Sequence, residues 1–227
     1  LSLFATGCTS STRQTDKERL YVSILPLRSL IEQIVGDDFK VDVLVPAGAS
    51  PESFEPTPRQ YVALNRSKLV FNVGLIDFEQ NLLRDFPDRE KLVNLSRGIR
   101  LLEGSWHAHG IDPHIWTSPR ALKQMAANAY DALRTSFPDS VRYTENYEKL
   151  LVRLDSLDTA CAEALRQANV HTIVIYHPAL TYYAADYGLE QLAVEHDGKE
   201  PSARHLARLI EEARRKKVRR VFYQAQY

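Results

Sequence analysis

Cysteine, net charge and long apolar runs are all scarce in this 227-residue sequence. Its two cysteines are too few for a disulfide framework or for a zinc site built on thiolates. The 29 basic and 29 acidic residues give a formal net charge of zero, so the sequence offers no general attraction to nucleic acid or to an anionic membrane. No stretch approaches the roughly 20 apolar residues that a membrane-spanning helix needs. We therefore expect a globular chain with no nucleic-acid partner.

Motifs of hydrolytic enzymes are absent as well. The sequence has no HExxH zinc-protease motif, no nucleophile elbow and no cluster of carboxylates for a second metal ion. A metallohydrolase is an alternative only if Glu52 or Glu55 acts as a general base beside a metal-bound water. We predict that the chain is not an enzyme.

The N-terminal segment has the pattern of an exported lipoprotein. Residues "LSLFATGC" form a short apolar stretch that ends in small residues before Cys8, and a Ser/Thr-rich segment follows. This pattern is typical of the end of a secretory signal, and "ATGC" resembles a bacterial lipoprotein box in which Cys8 receives the lipid. We predict that residues 1–18 are a signal remnant and linker, which anchor a periplasmic or otherwise extracytoplasmic domain to the membrane through lipid alone.

The apolar pattern of residues 19–118 predicts an N-terminal α/β lobe. Apolar strands alternate with helices that begin at Pro or end at Gly, and this alternation favours a parallel sheet. The predicted strands are 20–27, 39–46, 68–74 and 91–99.

The next segment, residues 119–168, is predicted to be helical. From Val141 to Gln167 there is neither Pro nor Gly, and apolar residues recur every three or four positions. Such a helix is about 40 Å long, enough to connect two lobes rigidly. The βα alternation then resumes in residues 169–227 with only about three strands, which is few for a complete layer. We expect a second parallel-sheet lobe that is truncated in this chain.

Candidate metal ligands follow three of the predicted strands. Glu52 lies after the second strand, His114 after the fourth, and His177 after the first strand of the second lobe. Open α/β sheets bind ligands at the carboxyl ends of their strands, and a carboxylate with two imidazoles is a common set of ligands for divalent metals. The sequence therefore predicts a metal site between the lobes.

Five segments resemble, in order, one known family. They are "LVPAGASPESFEPTPRQ", "LVFNVGLIDFEQNLL", "DPHIWTSP", "YTENYEKLLVRLDSLD" and "YHPALTYYAADYGLE". Together they resemble the metal-binding solute-binding proteins of bacterial ABC importers for zinc and manganese, over roughly residues 20–227. The resemblance implies two lobes, a long connecting helix that restricts their motion, and an ABC permease as the membrane partner.

Carried over to this sequence, the resemblance implies that His114 and His177 are metal ligands. The family usually has a histidine at the first ligand position, where this sequence has Glu52. The usual fourth ligand, an acidic residue near the C-terminus, would lie beyond Tyr227.

The segment "SWHAHGIDPHIW" (105–116) contains two further histidines. Zinc-binding members of the family often have a His-rich loop just before "DPH", so the resemblance implies that His107 and His109 are accessory metal collectors. The alternative is that both are exposed loop residues without ordered metal contacts.

Glu52 widens the range of metals that the site would bind. A carboxylate suits Mn²⁺ better than an imidazole does, whereas the Irving–Williams order places Zn²⁺ far above Mn²⁺. We therefore predict an extracytoplasmic receptor that captures a divalent transition metal, with Zn²⁺ favoured, and delivers it to an ABC permease. Two alternatives stay open: a manganese or iron receptor of the same type, and an adhesin-like lipoprotein with a vestigial metal site.

Overall fold

The computed structural model describes residues 17–51, 53–104, 110–195 and 200–224. Its first lobe is built on a four-stranded parallel sheet in the order β2-β1-β3-β4. The strands are β1 (Arg19–Val22), β2 (Lys40–Val43), β3 (Val70–Asn72) and β4 (Leu92–Asn94). The helices between them are α1 (Leu25–Val35), α2 (Pro58–Asn65) and α3 (Asp77–Arg84).

Local sequence signals explain where these elements begin and end. The Thr57 hydroxyl accepts a hydrogen bond from the main-chain N–H of Gln60, whose side chain accepts one from the Thr57 N–H, and Pro58 occupies the first turn of α2. Gly36 ends α1 with a φ of 59°, in the left-handed region that glycine adopts without steric cost. The buried faces of β1 and β3 and of the helices then form one core.

Two helices connect the lobes: α4 (Pro119–Ser136) and α5 (Val141–Ala168). The 28 residues of α5 span about 42 Å. Near its start, Asn146 donates a hydrogen bond to the Ile34 carbonyl of the first lobe. In its second half, Asp158 accepts one from the hydroxyl of Tyr187 in the second lobe. The predicted long helix that joins the lobes is confirmed.

The second lobe has a three-stranded parallel sheet in the order β6-β5-β7. Its elements are β5 (Thr172–Ile175), α6 (Thr181–Tyr187), β6 (Glu190–Ala193), α7 (Ala203–Arg215) and β7 (Val221–Phe222). The predicted α/β fold with two parallel-sheet lobes is therefore confirmed. The domain boundaries at 18, 118 and 168 stay a prediction. In the part of the chain that the structure describes, no helix is long and apolar enough to cross a membrane.

All four predicted strands of the first lobe were too long, two of them for a recognisable local reason. The strand predicted over 20–27 ends at Val22, because Pro26 suits the first turn of α1. The strand predicted over 91–99 ends at Asn94, whose side-chain oxygen accepts hydrogen bonds from the N–H and hydroxyl of Ser96. Such a side-chain turn redirects the main chain away from the sheet.

Candidate metal site

His114 is held by the carboxylate of Asp112, two residues earlier in the chain. The Asp112 Oδ1 atom lies 2.8 Å from the Nδ1 atom of the imidazole, and it also accepts a 2.8 Å hydrogen bond from the main-chain N–H of His114. A short 3₁₀ turn, Ile115–Thr117, follows directly and leads into α4. His114 is buried, and its ring lies between the Asp112 carboxylate and the imidazole of His177.

His177 is held by the corresponding edge of the second sheet. It follows β5 by two positions, and its Nδ1 atom lies 2.8 Å from Oε2 of Glu195, which follows β6. Gln224, just after β7, donates to the His177 carbonyl at 2.7 Å and accepts from its N–H at 3.3 Å. Three adjacent parallel strands thus fix the imidazole at their carboxyl ends, where such sheets bind ligands.

The two imidazoles face each other across the lobe boundary. Their Nε2 atoms are 3.2 Å apart, and the ring planes are inclined at 73°. A carboxylate at each Nδ1 favours the tautomer with the proton on that nitrogen, which leaves the Nε2 lone pair for a metal. Two Zn–N bonds of about 2.0–2.1 Å at a tetrahedral angle would place the nitrogens about 3.3 Å apart. The spacing therefore fits one edge of a tetrahedral zinc site.

The same spacing also suits a direct hydrogen bond between the rings. One Nε2 would then donate to the other, which requires that ring either to be protonated at both nitrogens or to release its Nδ1 proton. A bound metal removes this conflict, because both Nε2 atoms then act as electron-pair donors while both Nδ1 atoms donate to carboxylates.

A cavity of about 210 Å³ lies beside the imidazole pair. Both lobes contribute to its walls, with Pro51, Ile76 and Trp116 from the first lobe and Leu180 from the second. The Trp116 ring centroid lies 5.0 Å from that of His114. Apolar walls limit the access of water, and a lower local polarity strengthens the electrostatic attraction between ligands and a cation.

The loop that supplies Ile76 to this cavity is fixed by a buried acid. Glu79 accepts main-chain hydrogen bonds from Val73 at 2.9 Å and from Gly74 at 2.7 Å. Burial raises the pKa of Glu79, and these hydrogen bonds to its carboxylate oppose that rise. The neighbouring Phe78 packs edge-on against Phe54, so the start of α3 also supports the loop that follows β2.

The carboxyl group of Asp112 stays ionised behind His114. Burial alone would raise the pKa of Asp112, but hydrogen bonds and charge from His114, together with the Thr181 hydroxyl, hold that pKa below its ordinary range. An ionised carboxylate increases the electron density of the imidazole that it contacts, and hence the basicity of Nε2.

The structure brings together two of the predicted ligands, His114 and His177, and their role as ligands stays a prediction. In the described ranges, no group of three or more His, Cys, Asp or Glu side chains is placed to hold a metal ion. Four predicted residues lie outside the described ranges, and their roles also stay predictions: Glu52, His107, His109 and Cys8. Glu55, the alternative general base, is exposed on its loop and does not line the cavity.

Sequence reasoning missed the carboxylates behind the two histidines. Asp112 lies inside the "DPH" motif, where a carboxylate two residues before a candidate ligand was an available signal. Glu195 follows β6 by two positions, as His177 follows β5, so the strand-end argument used for His177 applied to it equally. No local signal pointed to Thr181, because its contact with Asp112 spans 69 residues.

The chain is thus a two-lobed α/β protein, with a long connecting helix and a candidate metal site between its lobes. Residues 20–227 match the family described as "ZnuA: Zinc-uptake complex component A periplasmic", and the chain belongs to this family.

Relatives and solved structures agree with this assignment. The "Zinc-binding lipoprotein AdcA" of Streptococcus pneumoniae R6 is 27% identical over 98% of this chain and 48% of its own length, so the chain spans about half of that relative. The "High-affinity zinc uptake system protein ZnuA" of Bacillus subtilis is 28% identical over 95% of this chain and 73% of its own.

Among solved structures, "Crystal structure of ZnuA" superposes with a TM-score of 0.85 at 33% identity, and covers 93% of this chain and 84% of its own. The Zn(II)-bound AdcA from S. pneumoniae superposes with a TM-score of 0.79 at 28% identity, and covers 91% of this chain and 46% of its own. These two solved structures therefore share most of the fold of this chain.

Proposed function

We propose that this chain is an extracytoplasmic receptor that captures Zn²⁺ between its two lobes and delivers it to an ABC permease. The observation that supports this most directly is the imidazole pair, with its Nε2 atoms 3.2 Å apart and a carboxylate behind each ring. Family membership and the zinc-binding relatives support the choice of metal.

In this proposal, His114 and His177 bind Zn²⁺ through their Nε2 atoms. Glu52 is the third ligand, since the neighbouring Pro51 lines the same cavity. The fourth ligand is an acidic group outside this chain. Asp112 and Glu195 keep the imidazoles in the tautomer that binds metal, and their negative charges offset the charge of the bound cation.

In this proposal, the site binds the metal ion as a solute and does not use it for catalysis. A catalytic zinc needs a base beside its bound water, and Glu55 is exposed and does not line the cavity. The protein would be held to the membrane by a lipid on Cys8, with the metal as its solute and the permease as its partner.

Thermal unfolding of metal-stripped protein with Zn²⁺ or Mn²⁺ tests the proposal. A metal that binds only the folded state adds RT ln(1 + [L]/Kd), about 2.7 kcal/mol at 100 times Kd. We expect a clear rise in Tm with micromolar Zn²⁺, which the double variant His114→Ala/His177→Ala abolishes. His171→Ala is the matched control, because His171 is exposed and pairs with Asn169 instead.

An undiminished Zn²⁺ shift in the double variant would refute the assignment of the ligands. A shift of equal size with Mn²⁺ would favour the manganese receptor, for which the carboxylate of Glu52 is the supporting feature. No shift with either ion would favour the adhesin-like lipoprotein with a vestigial site.

A further inference from the structure

Two consecutive residues at the start of α6 reach across the lobe boundary to Asp112. The Thr181 hydroxyl donates to Asp112 Oδ2 at 2.6 Å. The Tyr182 hydroxyl donates to the Asp112 carbonyl at 2.8 Å and accepts from the Leu102 N–H at 3.1 Å. Since α6 belongs to the second lobe and Asp112 to the first, these bonds exist only while the lobes are docked.

The direction of the Thr181 hydroxyl is determined by its neighbours. The Gln191 side-chain oxygen accepts the main-chain N–H of Leu180 at 2.7 Å, which orients the amide. The amide nitrogen of Gln191 then donates to the Thr181 oxygen at 3.2 Å. With that oxygen accepting from Gln191, the one proton of the hydroxyl is directed at Asp112.

Both oxygens of the Asp112 carboxylate therefore have hydrogen-bond partners. Oδ1 accepts from the N–H and the ring of His114, and Oδ2 accepts from Thr181. Asp112 is 1% exposed, so water cannot replace a lost partner without a structural change. The carboxylate cannot rotate without losing one of these bonds, and without Thr181 one constraint on the group that orients the imidazole of His114 is lost.

We propose that Thr181 is a positioning residue for His114, so that the ligand of the first lobe is fully oriented only while α6 of the second lobe is docked. This inference rests on the proposed function. It has a consequence for metal release, because a movement that separates the lobes also loosens His114. Metal affinity and lobe docking are then coupled, and by linkage a bound metal stabilises the docked lobes.

The variant Thr181→Val tests this inference, since valine keeps the shape of threonine and removes the hydroxyl. Zn²⁺ affinity of the full chain is measured by competition with a chromophoric chelator. Loss of a carboxylate behind a metal-ligating histidine costs about 10–100-fold in affinity. Thr181 is one hydrogen bond further away, so we expect a loss of about 3–10-fold.

Two matched variants separate positioning from packing. Thr181→Ser keeps the hydroxyl and removes only the methyl group, so its affinity should stay within about twofold of wild type. Thr144→Val makes the same chemical change at a site remote from the metal, where the hydroxyl contacts Tyr130, and should leave the affinity unchanged. Wild-type affinity in Thr181→Val, or an equal loss in Thr181→Ser, would overturn the inference.

A second readout reports on His114 directly. Imidazole ¹⁵N spectra of the metal-free protein should show a shift for His114 in Thr181→Val and none for His177. If Thr181→Val does not fold, Thr181→Ala takes its place with the same expectations, because it also removes the hydroxyl that donates to Asp112 Oδ2. A wild-type chain that does not compete with the chelator for Zn²⁺ would refute the proposed function and this inference together, whereas tight binding by both wild type and Thr181→Val refutes only the inference.

Discussion

The two histidines of the candidate site point their Nε2 atoms at each other in the same way. The carboxylates that contact their Nδ1 atoms are supported differently. The carboxylate of Asp112 lies two residues before His114, but its other oxygen is bound by a residue of the opposite lobe. Glu195 lies 18 residues after His177, yet it belongs to the same lobe as that histidine. Separation along the chain is therefore a poor guide to which half of the site is autonomous.

The difference arises from where each histidine lies in its lobe. His177 follows a strand between two others, so its neighbours across the sheet supply Glu195 and Gln224 within one lobe. His114 lies in the segment between β4 and α4, beyond the end of its own sheet. Asp112 contacts its imidazole, and α6 of the second lobe supports that carboxylate in turn.

The largest expected effect is the loss of either imidazole. His114→Ala and His177→Ala should each weaken Zn²⁺ binding by more than about 100-fold, the upper end of the range for changes behind a ligand. Isothermal titration of metal-stripped protein measures the loss, with His171→Ala as the control. If the Zn²⁺ affinity of one single variant stays within tenfold of wild type, that histidine is not a ligand. The two histidines would then not have equivalent roles.

Replacing Glu195 and Asp112 by their neutral amides should lower the Zn²⁺ affinity to different extents. Glu195→Gln keeps an oxygen that can accept the Nδ1 proton of His177, so we expect about a tenfold loss of Zn²⁺ affinity. Asp112→Asn also disturbs the main-chain N–H of His114 and the hydroxyl of Thr181, and we expect about a 100-fold loss. Chelator competition compares the two variants, and equal losses would contradict the asymmetry.

In metal-free protein, the difference in unfolding free energy between wild type and Asp112→Asn should depend on pH. The folded chain holds the pKa of Asp112 below its ordinary value, so the ionised group stabilises the fold above about pH 3.9, and this contribution is lost as the pH falls through the folded-state pKa. The difference in unfolding free energy between wild type and Asp112→Asn should therefore be constant from pH 7 to about 5 and shrink below about pH 4. Urea unfolding at each pH measures it, and a difference that grows in acid would contradict the sign of the shift.

The sequence predicts the elements of this protein better than the contacts between them. Apolar periodicity and helix caps are local, so the alternation of strands and helices was predicted, although the strands were predicted too long, as at Asn94 where a side-chain turn ends β4. Strand ends and the family resemblance indicated that His114 and His177 would converge. The contact of Asp112 with Thr181 depends on how two lobes dock, and no local pattern encodes it.

We expect the smallest effect from losing the two hydrogen bonds between Gln224 and the main chain of His177. Gln224→Ala removes two hydrogen bonds to the N–H and carbonyl of His177, but it leaves the contact with Glu195 in place. We expect a loss of about 1 kcal/mol in unfolding free energy and less than about a threefold change in Zn²⁺ affinity. A larger loss of affinity than in Thr181→Val would mean that support from within the second lobe matters more than the contact between the lobes, which would contradict the comparison.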